Sequence, residues 1–231
     1  MRLDIVSGDS FNPFSTRFVR PDQMQYRFSQ AIDPSDWVHS LVDRFQQEPA
    51  LAVIGPHGTG KTTLLHFLMP RLETCFGDVR YVRLSSWDQP IRPTEAARWV
   101  AGQRLLVIDG YEQLPAASRL AIVARLKWRP SETRMLVTAH RRQWLVPTFF
   151  CTHWDAEIVS ELTAEKLAHL PIEQQNAMRQ VADQLAQRFV AGSKPGGAAT
   201  ANVRDYWFSL YDAYEELRNG ASVFAKGTTK S

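Results

Sequence analysis

Gly55-Pro56-His57-Gly58-Thr59-Gly60-Lys61-Thr62 carries the pattern G-x-x-x-x-G-K-[ST], which predicts a site for the phosphates of a nucleoside triphosphate. The glycines let the backbone wrap closely enough for several N–H groups to point at one anion. Lys61 is placed to reach the β- and γ-phosphates, and the Thr62 hydroxyl to ligate Mg²⁺. The apolar run 51–54 before the loop reads as a buried strand, and residues 62–68 after it as a helix. That helix N-terminus adds partial positive charge. A chance Gly-rich turn is the weaker reading, because strand and helix stand where the chemistry needs them. Residues 55–62 and the following Thr63 form the expected nucleotide-binding stretch.

A second acidic position has the matching setting. Leu105-Leu106-Val107-Ile108 is the most apolar run of the chain and ends in Asp109. A carboxylate there, some fifty residues after the loop, is expected to share Mg²⁺ with Thr62, directly or through water. The competing reading is an aspartate doing plain turn chemistry. Hydrolysis also needs a group to orient and deprotonate water, and Glu112 is the nearest free carboxylate. It could equally be an exposed loop acid or a more distant metal contact. Thr138, at the end of the run 135–138, is expected beside the γ-phosphate as a sensing hydroxyl. His140 and Arg141 could act similarly or face solvent.

These residues need a scaffold, and the chain supplies one. Residues 35–47 repeat apolar positions at helical spacing (Val38, Leu41, Val42, Phe45), with Asp33 or Ser35 as cap around Pro34. Strands are expected at 51–54, 81–84, 105–108 and 135–138, with a fifth near 149–151. Helices are expected from 62 (with Pro70 ending or kinking it), at 94–100 and at 116–127. Strands alternating with helices predict a mostly parallel five-stranded α/β sheet covered on both faces, with ligands beyond the carboxyl ends of its strands. From 156 the pattern turns purely helical, with one helix starting near Leu162, another at 172–190 and a last one at 202–217. The expected division is an irregular segment 1–34 packing on the core, an ATPase core 35–155, a helical lid 156–220 and a flexible tail 221–231.

Composition is ordinary for a globular protein: 44% hydrophobic, 22% charged, net charge +3 over 231 residues. No run reaches the ~18 apolar residues of a membrane span, and no signal-peptide core opens the chain. Cys75 and Cys151 read as reduced core thiols, so the cytoplasm is the expected location and no membrane partner is expected. Residues 119–142 hold Arg119, Arg125, Lys127, Arg129, Arg134, Arg141 and Arg142 against Glu132 alone. A solvated helix face explains such a cluster, but a nucleic-acid contact would use the same charges.

The loop differs only at His57 from the Gly-Pro-Pro-Gly-Thr-Gly-Lys-Thr form of AAA+ ATPases, which it resembles. Asn202-Val203-Arg204-Asp205 is similar to the segment opening the last helix of AAA+ lid domains. That resemblance implies that Arg204 reaches the nucleotide phosphates and shares in catalysis; the alternative is an exposed arginine or one paired with Asp205 or Asp212. Asp109-Gly110-Tyr111-Glu112-Gln113-Leu114 and Thr138-Ala139-His140-Arg141 are similar to the corresponding motifs of NACHT-type signalling ATPases. The whole chain also resembles small P-loop ATPases of planctomycete-type bacteria, which lend no function. The resemblance implies Mg²⁺-dependent ATP binding and hydrolysis coupled to an unidentified protein partner. Only the stretch 141–150 separates the fourth and fifth strands, less than the helix AAA+ hexamers carry there, so homo-oligomer formation stays open. The competing functions are a P-loop kinase for a small molecule or nucleotide, and a nucleotide-dependent binding module with negligible turnover.

Overall fold

A computed structural model describes residues 12–15, 26–28, 32–87, 89–128, 132–153, 156–192 and 203–219. The chain divides into two compact units, residues 25–154, and residues 1–24 together with 155–231.

Five short strands form the sheet of the first unit: β1 (Ala50–Ile54), β2 (Val79–Arg83), β3 (Leu105–Asp109), β4 (Arg134–Ala139) and β5 (Thr148–Cys151). Their order is β2-β3-β4-β1-β5, and every pairing is parallel. All carboxyl ends therefore share one edge. The period of two in a strand sorts the side chains into two cores. Leu51, Val53, Leu105, Val107 and Leu136 face one side and meet α1 (Pro34–Gln47) and α2 (Lys61–Phe76). Ala50, Ala52, Leu106, Ile108, Met135 and Val137 face the other and meet α3 (Pro93–Arg98) and α4 (Ala116–Trp128). The central strands are apolar on both faces because both faces are covered.

α1 starts where its chemistry dictates. Asp33 accepts from the N–H of Ser35 at 2.7 Å, and Pro34 occupies the first turn, where its missing N–H costs nothing. Trp37 of this helix packs edge-on against Phe149 and Phe150 of β5. α2 runs through Pro70 to Phe76 instead of ending there, and the Thr74 hydroxyl donates to the Pro70 carbonyl. Four buried leucines (Leu64, Leu65, Leu68, Leu72) hold it on the sheet, and that packing outweighs the one lost backbone bond.

Two further expectations are corrected. Cys75 and Cys151 are exposed thiols, not core residues: one lies on the outer side of α2's last turn, the other ends the edge strand β5. The basic residues of 119–142 do not form one face. Arg134 begins β4 and its Nε donates to the Phe45 carbonyl, whereas Arg141 and Arg142 lie beyond the other end of that strand. A six-residue strand spans roughly 20 Å. Arg119 is engaged by Gln143 at 2.7 Å, and Arg129 lies outside the described residues.

The second unit contains α5 (Ala156–Leu167), α6 (Ile172–Gly192) and α7 (Val203–Arg218). α5 begins six residues before the expected Leu162. Thr163 closes its middle by donating to the Val159 carbonyl and sharing a 2.8 Å bond with the Tyr206 hydroxyl of α7. On α7 the buried side carries Tyr206, Trp207, Leu210, Ala213 and Tyr214, while Tyr211 is partly exposed. Asn12 to Ser15 belong to this unit, although the segment 1–34 was expected on the core. The reason is local: Phe14, fully buried, stacks on Trp207 at 6.0 Å and meets Tyr214 edge-on. Asn12 donates to the Tyr211 carbonyl and to Glu215 Oε1. Tyr26, Phe28 and Ile32 instead pack on the α1–α2 face of the first unit. The stretch 193–202, the tail from 220 and the side chain of Arg204 lie outside the described residues.

Candidate nucleotide site

At the carboxyl edge of the sheet the phosphate loop leaves β1, and its start is tied to β4 by the Gly55 N–H on the Ala139 carbonyl. Thr59 donates to the Pro56 carbonyl and shares a 2.6 Å bond with Thr152, which fixes the loop against the chain following β5. Thr152 sits where any side chain at Gly55 would be, 2.2 Å from an added Cβ. Tyr26 covers the far end of the loop, 3.2 Å from a Cβ built on Gly60, and burial pushes its phenol up to about 12.

Lys61, the first residue of α2, is nearly buried, and its ammonium donates to the Gly55 and Pro56 carbonyls at 2.7 Å each. Burial pushes it down to about 8, against the opposing pull of Glu112 and Asp109. The Thr62 hydroxyl donates to Asp109 Oδ2 at 2.8 Å, so the two expected metal contacts meet. Asp109 Oδ1 accepts from the Thr138 hydroxyl, and Thr138 in turn accepts the Gly110 N–H at 2.9 Å. The Thr138 hydroxyl is thus bonded to Asp109 in a position 1% exposed. Tyr81, on β2, adds a third donor to Asp109, through its hydroxyl at 3.2 Å. Burial and the neighbouring carboxylate hold that phenol far above its usual value.

Glu112 lies in a single 3₁₀ turn, Tyr111–Gln113, just after β3. Its Oε1 is 2.6 Å from His140 Nδ1, a separation that requires one proton between the atoms. Burial first, then the charges of Lys61 and His57, push the His140 ring down to about 4. Burial holds the Glu112 carboxyl above its usual range. Both directions favour a neutral imidazole donating to the carboxyl group over an ion pair. The other oxygen, Glu112 Oε2, is buried and has no partner among the described residues, which leaves it able to accept a hydrogen bond. The ring of His57 lies on that of His140, centroids 3.4 Å apart.

The loop, Lys61, Thr62, Asp109, Glu112, Thr138 and His140 are thus brought together. Sequence reasoning missed Tyr81, Tyr26 and Thr152. Tyr81 had a usable signal: residues facing one way in adjacent parallel strands can share a target, and its strand pairs with the one ending in Asp109.

A parallel sheet with this phosphate loop after β1 and an acidic strand end beside it is the P-loop nucleotide-binding fold. No protein-family model and no curated protein matches the chain. Several solved structures are similar to this chain. Thermotoga maritima RuvB, a Holliday junction branch migration motor, is 17% identical with a TM-score of 0.44 over 77% of this chain and 66% of that one. A DNA replication initiation factor is 14% identical with a TM-score of 0.47 over 83% and 65%. PCH-2 of C. elegans is 13% identical with a TM-score of 0.41 over 80% and 68%. The chain spans just under two thirds of the RuvB chain, and the likeness is one of fold alone.

Proposed function

We propose that this chain is an AAA+-like ATPase that binds ATP with Mg²⁺, hydrolyses it, and uses nucleotide state to control a protein partner. The observation that carries this reading is the convergence of Lys61, Thr62 and Asp109 with Glu112, whose buried Oε2 has no partner among the described residues.

The oxygen donors fit the metal. Mg²⁺ takes few protein ligands and is held mainly by phosphates and water, so a threonine hydroxyl and one carboxylate are sufficient. When bound, it neutralises charge on the β- and γ-phosphates. Lys61 leaves the loop carbonyls for phosphate oxygens, which restores its full positive charge. Tyr81 and Thr138 hold Asp109 by donating to both of its oxygens, so the carboxylate enters the reaction already oriented. Glu112 Oε2 aligns the attacking water and takes its proton. Arg204 is proposed as a further phosphate contact on the strength of the lid resemblance alone.

The test is phosphate release together with nucleotide binding for wild type, Lys61→Ala and Glu112→Gln. Binding and release by wild type, loss of binding in the first variant and loss of release alone in the second support the reading. A wild type that binds ATP but releases no phosphate supports the binding-module reading instead. Transfer to an added acceptor would make the chain a kinase instead.

A further inference from the structure

His57 is the one position where the loop departs from the Gly-Pro-Pro form, and its side chain makes a specific contact. Its ring lies 3.4 Å, centroid to centroid, from His140, with the planes 33° apart. His140 follows directly on β4, whose last residue, Ala139, accepts the Gly55 N–H at the base of the same loop. On its other side His140 grips Glu112 Oε1 at 2.6 Å. The backbone of Glu112 is confined as well: Gln113 N–H and Leu114 N–H close the 3₁₀ turn on Gly110 and Tyr111. What the turn leaves free is the Glu112 side chain, and His140 restrains it by holding one of its carboxylate oxygens.

We propose that His140 is a positioning residue for Glu112, and that His57, stacked upon it, couples the hold to what the phosphate loop binds. The inference rests on the ATPase reading and deepens it. A phosphate in the loop accepts from the backbone N–H groups around His57 and fixes their direction. The His57 ring, exposed on its outer side, rests on His140 at 3.4 Å, so a shift of the loop backbone at 57 alters that contact. Loop occupancy thereby sets the direction of Glu112 Oε2. A proline at 57 would keep the loop but sever this link.

Two measurements on the full chain test it. The first is the tautomer and chemical shift of the His140 ring nitrogens by ¹⁵N NMR. Wild type should show the proton on Nδ1. Glu112→Gln and His57→Pro should each move the His140 signals in the nucleotide-free protein, and Mg²⁺ with the non-hydrolysable analogue AMP-PNP should move them in wild type more than in His57→Pro. The second is steady-state ATP hydrolysis. His140→Ala should lower kcat by about tenfold or more with little change in KM, as expected for loss of water alignment. His140→Asn, which keeps a donor, should recover part of that loss. His57→Pro should cost less in kcat than His140→Ala, and should add nothing once His140 is already alanine. His140 signals indifferent to His57→Pro would overturn the coupling, and an unchanged kcat in His140→Ala would overturn the positioning role. Absent phosphate release in wild type would defeat the ATPase reading while the nucleotide-free NMR comparison still decides the geometry.

Discussion

The Leu84 carbonyl oxygen lies 2.7 Å from the place a Cβ would occupy on Gly110, and Gly110 itself has φ +86°. No side chain fits there without moving the backbone that follows β2. Many ATPases carry their glutamate at this position, directly after the metal-binding aspartate. Here the backbone turns left-handed instead and delivers a carboxylate two residues later, from the 3₁₀ turn. Gly110→Ala should therefore cost roughly 1–3 kcal/mol in stability, read as a lowered Tm. Gly110→Glu combined with Glu112→Gln should not restore hydrolysis; a double variant as active as wild type would show that the glutamate's position is interchangeable.

Thr138→Val tests the support beneath Asp109. Valine matches the shape but leaves the Gly110 N–H and Asp109 Oδ1 without their partner. An unsatisfied buried polar group costs about 1–3 kcal/mol. Tm should fall by several degrees, and nucleotide affinity should drop more with Mg²⁺ than without it. Equal loss in both conditions would place Thr138 on the phosphate and not on Asp109.

The strands that build the site were legible because 105–108 and 135–138 are apolar on both faces, a pattern only a doubly covered sheet uses. The loop was legible because phosphate chemistry prescribes its spacing. What stayed hidden depends on tertiary register. Tyr81 reaches Asp109 because Arg83 pairs with Asp109 across two strands, so its signal can be used only once those strands are placed side by side. The grip of His140 on Glu112 joins two strand ends that are adjacent only once the sheet order is known. The start of α5 was missed because Ile158 and Val159 are β-branched and weaken a helical reading, while burial of Val159 decides the matter in the fold. The bond from Thr138 to Asp109 also depends on the sheet order, which brings the ends of β3 and β4 side by side.

Phe14→Ala tests the helical unit. The ring is fully buried between Trp207 and Tyr214, and removing a buried phenylalanine typically costs about 3–5 kcal/mol. Hydrogen exchange should accelerate in α7 and leave the strands of the first unit unchanged. Unaltered protection in α7 would mean that residues 12–15 do not anchor there.

Lys61 gives a proton-linkage test with a definite sign. In the free protein burial holds it down to about 8, so a fraction of these lysines is neutral near that pH. Phosphate charge favours the ammonium, so at pH 8, where the nucleotide's own phosphates are ionised, nucleotide binding should take up a fraction of a proton per site. Calorimetry in buffers of different ionisation enthalpy reads this directly. Lys61→Ala should lose binding itself while keeping its Tm. Proton release on binding, or none at pH 8, would contradict the buried-lysine geometry.

Glu112→Gln carries the sharpest test of hydrolysis. Glutamine preserves the shape and a contact to His140 but cannot take a proton, so ATP binding should persist while turnover falls by about 10²-fold or more. The pH dependence follows from the environment. Burial raises the carboxyl above its usual range, and the base must be ionised to act. Turnover in wild type should therefore decline as pH falls through a value above that of an exposed glutamate, and this acid limb should vanish in Glu112→Gln. His140 adds no limb of its own near pH 6.5, because it is held neutral down to about 4. A wild-type profile with a histidine-like step near 6.5, or a Glu112→Gln variant that keeps the acid limb, would move the base from Glu112 to another group at the strand edge.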